Sequence, residues 1–78
     1  MPFHTHNPHV LGYQRPGLLD GEDSTVVVFA NVADTHQVVA STTLSGLPRT
    51  AVDLIGGGVV RLDTALTLEP YGVRWLRV

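Results

Sequence analysis

The chain has 78 residues, enough for one domain, and no cysteine, so no disulfide supports a core of this small size. Arg15, Arg49, Arg61, Arg74 and Arg77 are spread along a chain without lysine whose net charge is −2 with histidine neutral. That scatter argues against nucleic-acid binding, which draws on clustered cations and counterion release. No apolar run reaches the ~20 residues that a membrane-spanning helix needs. No basic-then-apolar leader opens the chain, so the compartment stays open, with a lean toward the cytoplasm.

In chain order, residues 1–8 carry two prolines and no periodicity, which describes a flexible lead-in to a domain over 9–78. Val10–Arg15 reads as a first short strand stopped by Pro16-Gly17. Leu18–Ser24 is a loop, acidic at Asp20, Glu22 and Asp23. It lacks the alternating ligand spacing of an EF-hand-type calcium loop. Thr25–Val32 is the strongest strand signal, β-branched and apolar on both faces, with Val27 and Phe29 on one and Val26, Val28 and Ala30 on the other. Such a strand belongs in the middle of a sheet. His36–Leu44 reads as a further, half-solvated strand.

Ala51–Ile55 and Val59–Asp63 flank Gly56-Gly57-Gly58, the pattern of a hairpin. The glycines do not make a phosphate loop, because no helix follows them. Leu66–Leu68 is a short strand, and after a proline corner Tyr71–Val78 forms the last. Short strands at this spacing, with turn chemistry between them, specify an all-β fold: a small antiparallel β-sandwich of about six to eight short strands.

Three groups of residues invite a chemical reading. His4, His6 and His9 have metal-ligand residue types, but they sit in the lead-in without a neighbouring cysteine or carboxylate, and a solvated segment is the preferred reading. Ser24, Ser41 and Ser45 lack the surroundings of a nucleophile elbow. Tyr71, Val73 and Trp75 fall on one face by the two-residue alternation of a strand. That face is read first as core or interdomain packing and second as a platform on which sugars stack. Phe29 is assigned to the core, and Tyr13 to partial burial with its hydroxyl in water. No catalytic, cofactor-binding or metal site emerges.

Four segments taken together carry a resemblance. They are Asn7–Arg15 (NPHVLGYQR), Val26–Val32 (VVVFANV), Val52–Gly57 (VDLIGG) and Leu66–Leu76 (LTLEPYGVRWL). In order and spacing they resemble the C-terminal domain of the α-amylase superfamily, glycoside hydrolase family 13, most of all amylosucrase and related sucrose hydrolases. Val32 departs from the pattern, which commonly has an aromatic there, and Arg49-Thr50-Ala51 is not dictated by it. The resemblance implies a non-catalytic accessory domain that packs on and stabilises a catalytic (β/α)₈ barrel. It implies a parent that is a retaining hydrolase or glucosyltransferase acting on sucrose or α-glucans. Retaining chemistry needs two carboxyls ~5 Å apart, and the resemblance places those on the barrel, outside this chain. Asp53 matches a structural position of that domain. The implied partner is therefore the barrel, with α-glucan binding through exposed aromatics as the alternative. Tyr71, Trp75 and His9 are the candidate sugar or interdomain contacts; no cofactor is implied.

Overall fold

The structure is a computed structural model that describes residues 2–16 and 25–78. The acidic segment Leu18–Ser24 lies outside the described residues. Seven strands and one helical turn are present among them: β1 Val10–Pro16, β2 Thr25–Asn31, β3 Gln37–Val39, α1 Ser41–Leu44, β4 Thr50–Asp53, β5 Val59–Arg61, β6 Leu66–Leu68 and β7 Val73–Arg77. All pairing is antiparallel. Five strands form one sheet in the order β1-β2-β7-β4-β5, and β3 and β6 form a second. The fold is a small all-β sandwich, as the strand spacing implies.

β2 lies between β1 and β7, the central place that its two-sided apolar composition demands. Val27 and Phe29 are fully buried on its inner face. Leu76 of β7 stands opposite Val27 in register and is equally buried. Val39, Leu66 and Leu68 of the smaller sheet, with Leu44 and Leu62, complete a single core. The inner face of the large sheet is therefore covered by the two-stranded sheet, α1 and the lead-in.

The segment His36–Leu44 departs from the strand expected of it. Pairing ends at Val39, and Ser41–Leu44 closes a helical turn in which the Thr43 and Leu44 N–H groups donate to the Ala40 carbonyl. The reason is burial. The helical turn carries Leu44 into the core, where it is fully buried, and Leu47, past the end of the turn, packs against the same core with its N–H donating to the Leu44 carbonyl. Tertiary packing here overrides the β-propensity of the threonines.

The lead-in lies on the sandwich. Phe3 donates its N–H to the Gly12 carbonyl and packs edge to face on Phe29, with ring centroids 5.4 Å apart. Thr5 is buried, and its hydroxyl donates to the Val10 carbonyl at 2.7 Å. Gly12 makes this crossing possible: a Cβ there would run into the Phe3 carbonyl and come within 2.8 Å of Thr5 Cγ2. Asn7 ties the segment to β3, its amide donating to Gln37 Oε1 and to the Val38 carbonyl.

Candidate docking face

Antiparallel register places directly opposed residues on one face of a sheet, so the outer face of the large sheet can be read in rows. Leu11, Ala30 and Val73 form one row, and Tyr13, Val28 and Trp75 the next. The third runs Arg15, Val26, Arg77, Val52 and Val59 across all five strands. Leu54 extends the second row beyond β4, donating its N–H to the Trp75 carbonyl. Leu11 is 62% exposed, Tyr13 48%, and Val73 and Trp75 41% each, whereas Leu76, one residue from Trp75, is fully buried. The described cover of the sandwich lies on the opposite side of this sheet. Val26, in the third row, is 1% exposed although it lies outside the core cluster; what the described residues leave outward is an apolar patch over the first two rows with two aromatic rings, flanked at one end by the exposed Arg15 and Arg77.

The other end of this face is built at the corner between β6 and β7. Asn31 N–H donates to the Gly72 carbonyl and Tyr71 N–H to the Ala33 carbonyl, which holds Tyr71 beside Val32. The Val32 N–H donates to the His9 carbonyl on the β1 side. Tyr71 takes a left-handed backbone, φ 55°, so the final strand starts at Val73 and not at Tyr71. A non-glycine residue in that region is uncommon, and its ring is 68% exposed. Gly72 is needed behind it, since a Cβ there would press on the Glu69 side chain at 2.7 Å. Glu69 in turn receives a two-pronged hydrogen bond from the Arg74 guanidinium at 2.6 and 2.9 Å. That bond, helped by the Glu69 backbone, lowers the Glu69 pKa from the usual 4.5 to about 2.

The three residues singled out in sequence thus border or occupy one face. Trp75 stands in its middle, Tyr71 and His9 at the end defined by Val32. The part of the first reading that put Tyr71, Val73 and Trp75 in the core is corrected: in this chain they are on the open side, because β7 turns Arg74, Leu76 and Val78 inward. The contributions of Leu11, Tyr13 and Leu54 were missed. Alternation along Val10–Arg15 carries the first two; Leu54 sits past the end of its strand, where no periodicity reaches.

Two other features of the sequence resolve differently. His4 and His6 meet edge to face with ring centroids 4.1 Å apart, in a shallow groove of about 500 Å³ along the lead-in. Among the described residues, no three histidine, aspartate or glutamate side chains gather into a metal-holding group. Asp53 has a structural place. Its Oδ1 accepts from the Ile55 and Gly56 N–H groups at 2.9 Å each, which lowers its pKa, the Gly56 bond foremost. The hairpin turns through Gly57 and Gly58 at φ 78° and 83°, conformations that glycine adopts without strain.

No protein-family model matches the chain.

Proposed function

We propose that this chain is a non-catalytic accessory domain that docks the outer face of its five-stranded sheet on a larger catalytic body, in the manner of the C-terminal domain of an amylosucrase-like enzyme of the α-amylase superfamily. The observation that carries the reading is the open face itself. Large exposed apolar patches mark interaction surfaces, and this one spans the Leu11 and Tyr13 rows with Trp75 near its centre. The sequence resemblance supplies the identity of the larger body, a (β/α)₈ barrel acting on sucrose or α-glucans. The domain's work is then mechanical: it removes its own apolar face and a matching one on the barrel from water.

The test begins with the native polypeptide that carries these residues, sized in source-cell lysate with an antibody raised against this chain. The expected band is several-fold larger than 8.4 kDa. In that larger polypeptide, Val73→Glu should lower the melting temperature and soluble yield, while the same change in the 78-residue chain leaves its fold intact. A native band at the mass of the chain alone would sink the proposal.

One observation favours a second reading, a carbohydrate-binding platform. Tyr13 and Trp75 share a row with β2 between them, which sets their strands about 10 Å apart, and both rings are exposed, as stacking on a sugar requires. Titration with maltooligosaccharides, followed by the emission of the single tryptophan, distinguishes the two readings. Unchanged emission at millimolar sugar leaves docking as the use of the face.

A further inference from the structure

We propose that His4 and His6 together form a binding site for a late first-row divalent transition-metal ion, Cu²⁺ taken most tightly, on the lead-in where it crosses β1. The proposal is independent of what covers the outer face of the large sheet.

The site is built by alternation. Phe3, Thr5 and Asn7 turn toward the sandwich, and each is held there. Phe3 donates its N–H to the Gly12 carbonyl at 3.0 Å and packs on Phe29. Thr5 is 6% exposed; its hydroxyl donates to the Val10 carbonyl at 2.7 Å and accepts the Asn7 N–H at 3.3 Å. Asn7 reaches across to β3, donating to Gln37 Oε1 and to the Val38 carbonyl at 3.1 Å each. His4 and His6 are the residues between these anchors, and both are exposed. In an extended chain, residues two apart project to the same side about 7 Å from one another. Here the two rings have closed to a centroid distance of 4.1 Å, and His6 has a left-handed backbone, φ 57°. A residue other than glycine keeps that conformation only where its surroundings impose it, and such strain gathers at functional sites. Both imidazoles line an open groove with Pro8 and Leu11, so an ion reaches them directly from water. Because the lead-in is already ordered, little further entropy is lost in bringing the two ligands together.

The donor set selects the ion. Imidazole nitrogens suit copper, nickel and zinc, whereas calcium and magnesium take oxygen ligands. Cu²⁺ stands highest in the affinity order of the first-row divalent ions, and its tetragonal plane accepts two nitrogens side by side. Among the described residues no third histidine, aspartate or glutamate joins the pair, so water or a small exogenous ligand completes the coordination. Structural zinc sites take four protein ligands and catalytic ones three. The pair is therefore an exchangeable site and not a permanently loaded centre. A bound ion joins His4 to His6 and so fixes the lead-in between its anchors.

The test is a calorimetric titration of Cu²⁺ into the 78-residue chain near neutral pH, with the N-terminus acetylated so that no amino group competes. One ion per chain is expected, bound in the micromolar range, with Ni²⁺ and Zn²⁺ weaker and Ca²⁺ and Mg²⁺ not bound. His4→Ala and His6→Asn should each weaken Cu²⁺ binding at least about tenfold, since the remaining imidazole loses its chelating partner. Asparagine is used at position 6 because it tolerates a left-handed backbone. His9→Ala and His36→Ala, which remove the other two histidines of the chain, should bind like the parent. Cu²⁺ should also raise the melting temperature of the parent, because the folded chain holds the rings together and the unfolded chain does not; His4→Ala should remove that rise. The proposal is overturned by a His4→Ala chain that binds Cu²⁺ as tightly as the parent, or by a loss on His9→Ala as large as that on His4→Ala. A melting temperature that Cu²⁺ leaves unchanged or lowers would overturn it as well. Docking on a larger body is tested separately, by the Val73→Glu change in the native polypeptide.

Discussion

Asn31 is the joint on which the sandwich hangs, and its replacement by alanine is the sharpest single perturbation of the fold. The residue ends β2 and is only 3% exposed. Its amide donates to the Thr35 carbonyl at 2.8 Å and the Glu69 carbonyl at 3.0 Å, and it approaches the Leu68 carbonyl at 3.4 Å. Its Oδ1 accepts from the Ala33 N–H at 2.9 Å. One side chain therefore ties the central strand to the connection toward β3 and to the end of β6. A hydrogen bond contributes about 1 kcal/mol net, and a buried partner left unsatisfied costs about 1–3 kcal/mol. Thr35 and Glu69 are exposed, so water recovers part of what their carbonyls lose. Asn31→Ala should therefore destabilise by roughly 2–4 kcal/mol, against a total of roughly 4–12 kcal/mol for a chain of this length. At 4–8 °C per kcal/mol for a domain of this size, melting should fall by roughly 10–30 °C. Urea denaturation followed by Trp75 emission gives the free energy directly, with an unchanged slope showing that both states keep their compactness. Asn31→Asp sharpens the test. It keeps the acceptor for Ala33 but aims a carboxylate at three carbonyls, so near neutral pH it should be worse than alanine. Burial and those carbonyls raise the folded-state pKa of such a carboxyl. Its contribution is then present at low pH and lost as pH rises, and the variant should regain stability on acidification. A midpoint for Asn31→Ala within 0.5 kcal/mol of the parent, a change of the size usual at neutral surface sites, would refute the assignment of Asn31 as a joint.

Gly12→Ala should push the lead-in off the inner face, because the new Cβ meets the Phe3 carbonyl and Thr5 Cγ2; overpacking of this kind costs about 1–3 kcal/mol, and limited proteolysis should then cut within residues 2–8 ahead of global unfolding. Leu44→Ala should cost about 2–5 kcal/mol as a fully buried leucine, while Val38→Thr, on an exposed position of β3, should stay within about 0.5 kcal/mol; equal losses in thermal melts would contradict the helical turn that carries Leu44 inward. The Glu69 carboxyl titrates at about 2 in the folded chain and at about 4.5 when unfolded. A depressed acid pKa contributes stability above the unfolded value that is lost as pH falls through the folded one, so the parent should lose stability between about pH 4.5 and 2. Asp53 and Asp63 shift in the same direction, so Glu69→Gln should flatten that slope without abolishing it; an identical acid profile for the variant would show that the Arg74 pair is not formed in solution.

The alternation of apolar residues makes both faces of β2 and β7 legible in sequence, but it does not say which face is covered. Trp75 and Leu76 are adjacent, both large and both apolar, and nothing local ranks one above the other for the core. The decision is made by what the rest of the chain supplies. Among the described residues, β3, α1, β6 and the lead-in make the second layer, and Val39, Leu44, Leu66 and Leu68 all lie on the side of Leu76. The same economy explains Ser41–Leu44, where the helical turn carries Leu44 into the one small core against which Leu47, just beyond the turn, also packs. The Gly56–Gly58 hairpin and the strand over Leu66–Leu68 were legible because their signals are local: positive φ, β-branching, a proline stop. Tyr71 was not, since a tyrosine after a proline gives no sign of a left-handed backbone; that conformation comes from the Ala33 carbonyl and from Gly72, which leaves room for Glu69. The described residues form one five-stranded and one two-stranded sheet, too few strands to cover the larger sheet on both sides. Its open face is thus a consequence of strand count as much as of composition, and any function must begin with what covers Trp75.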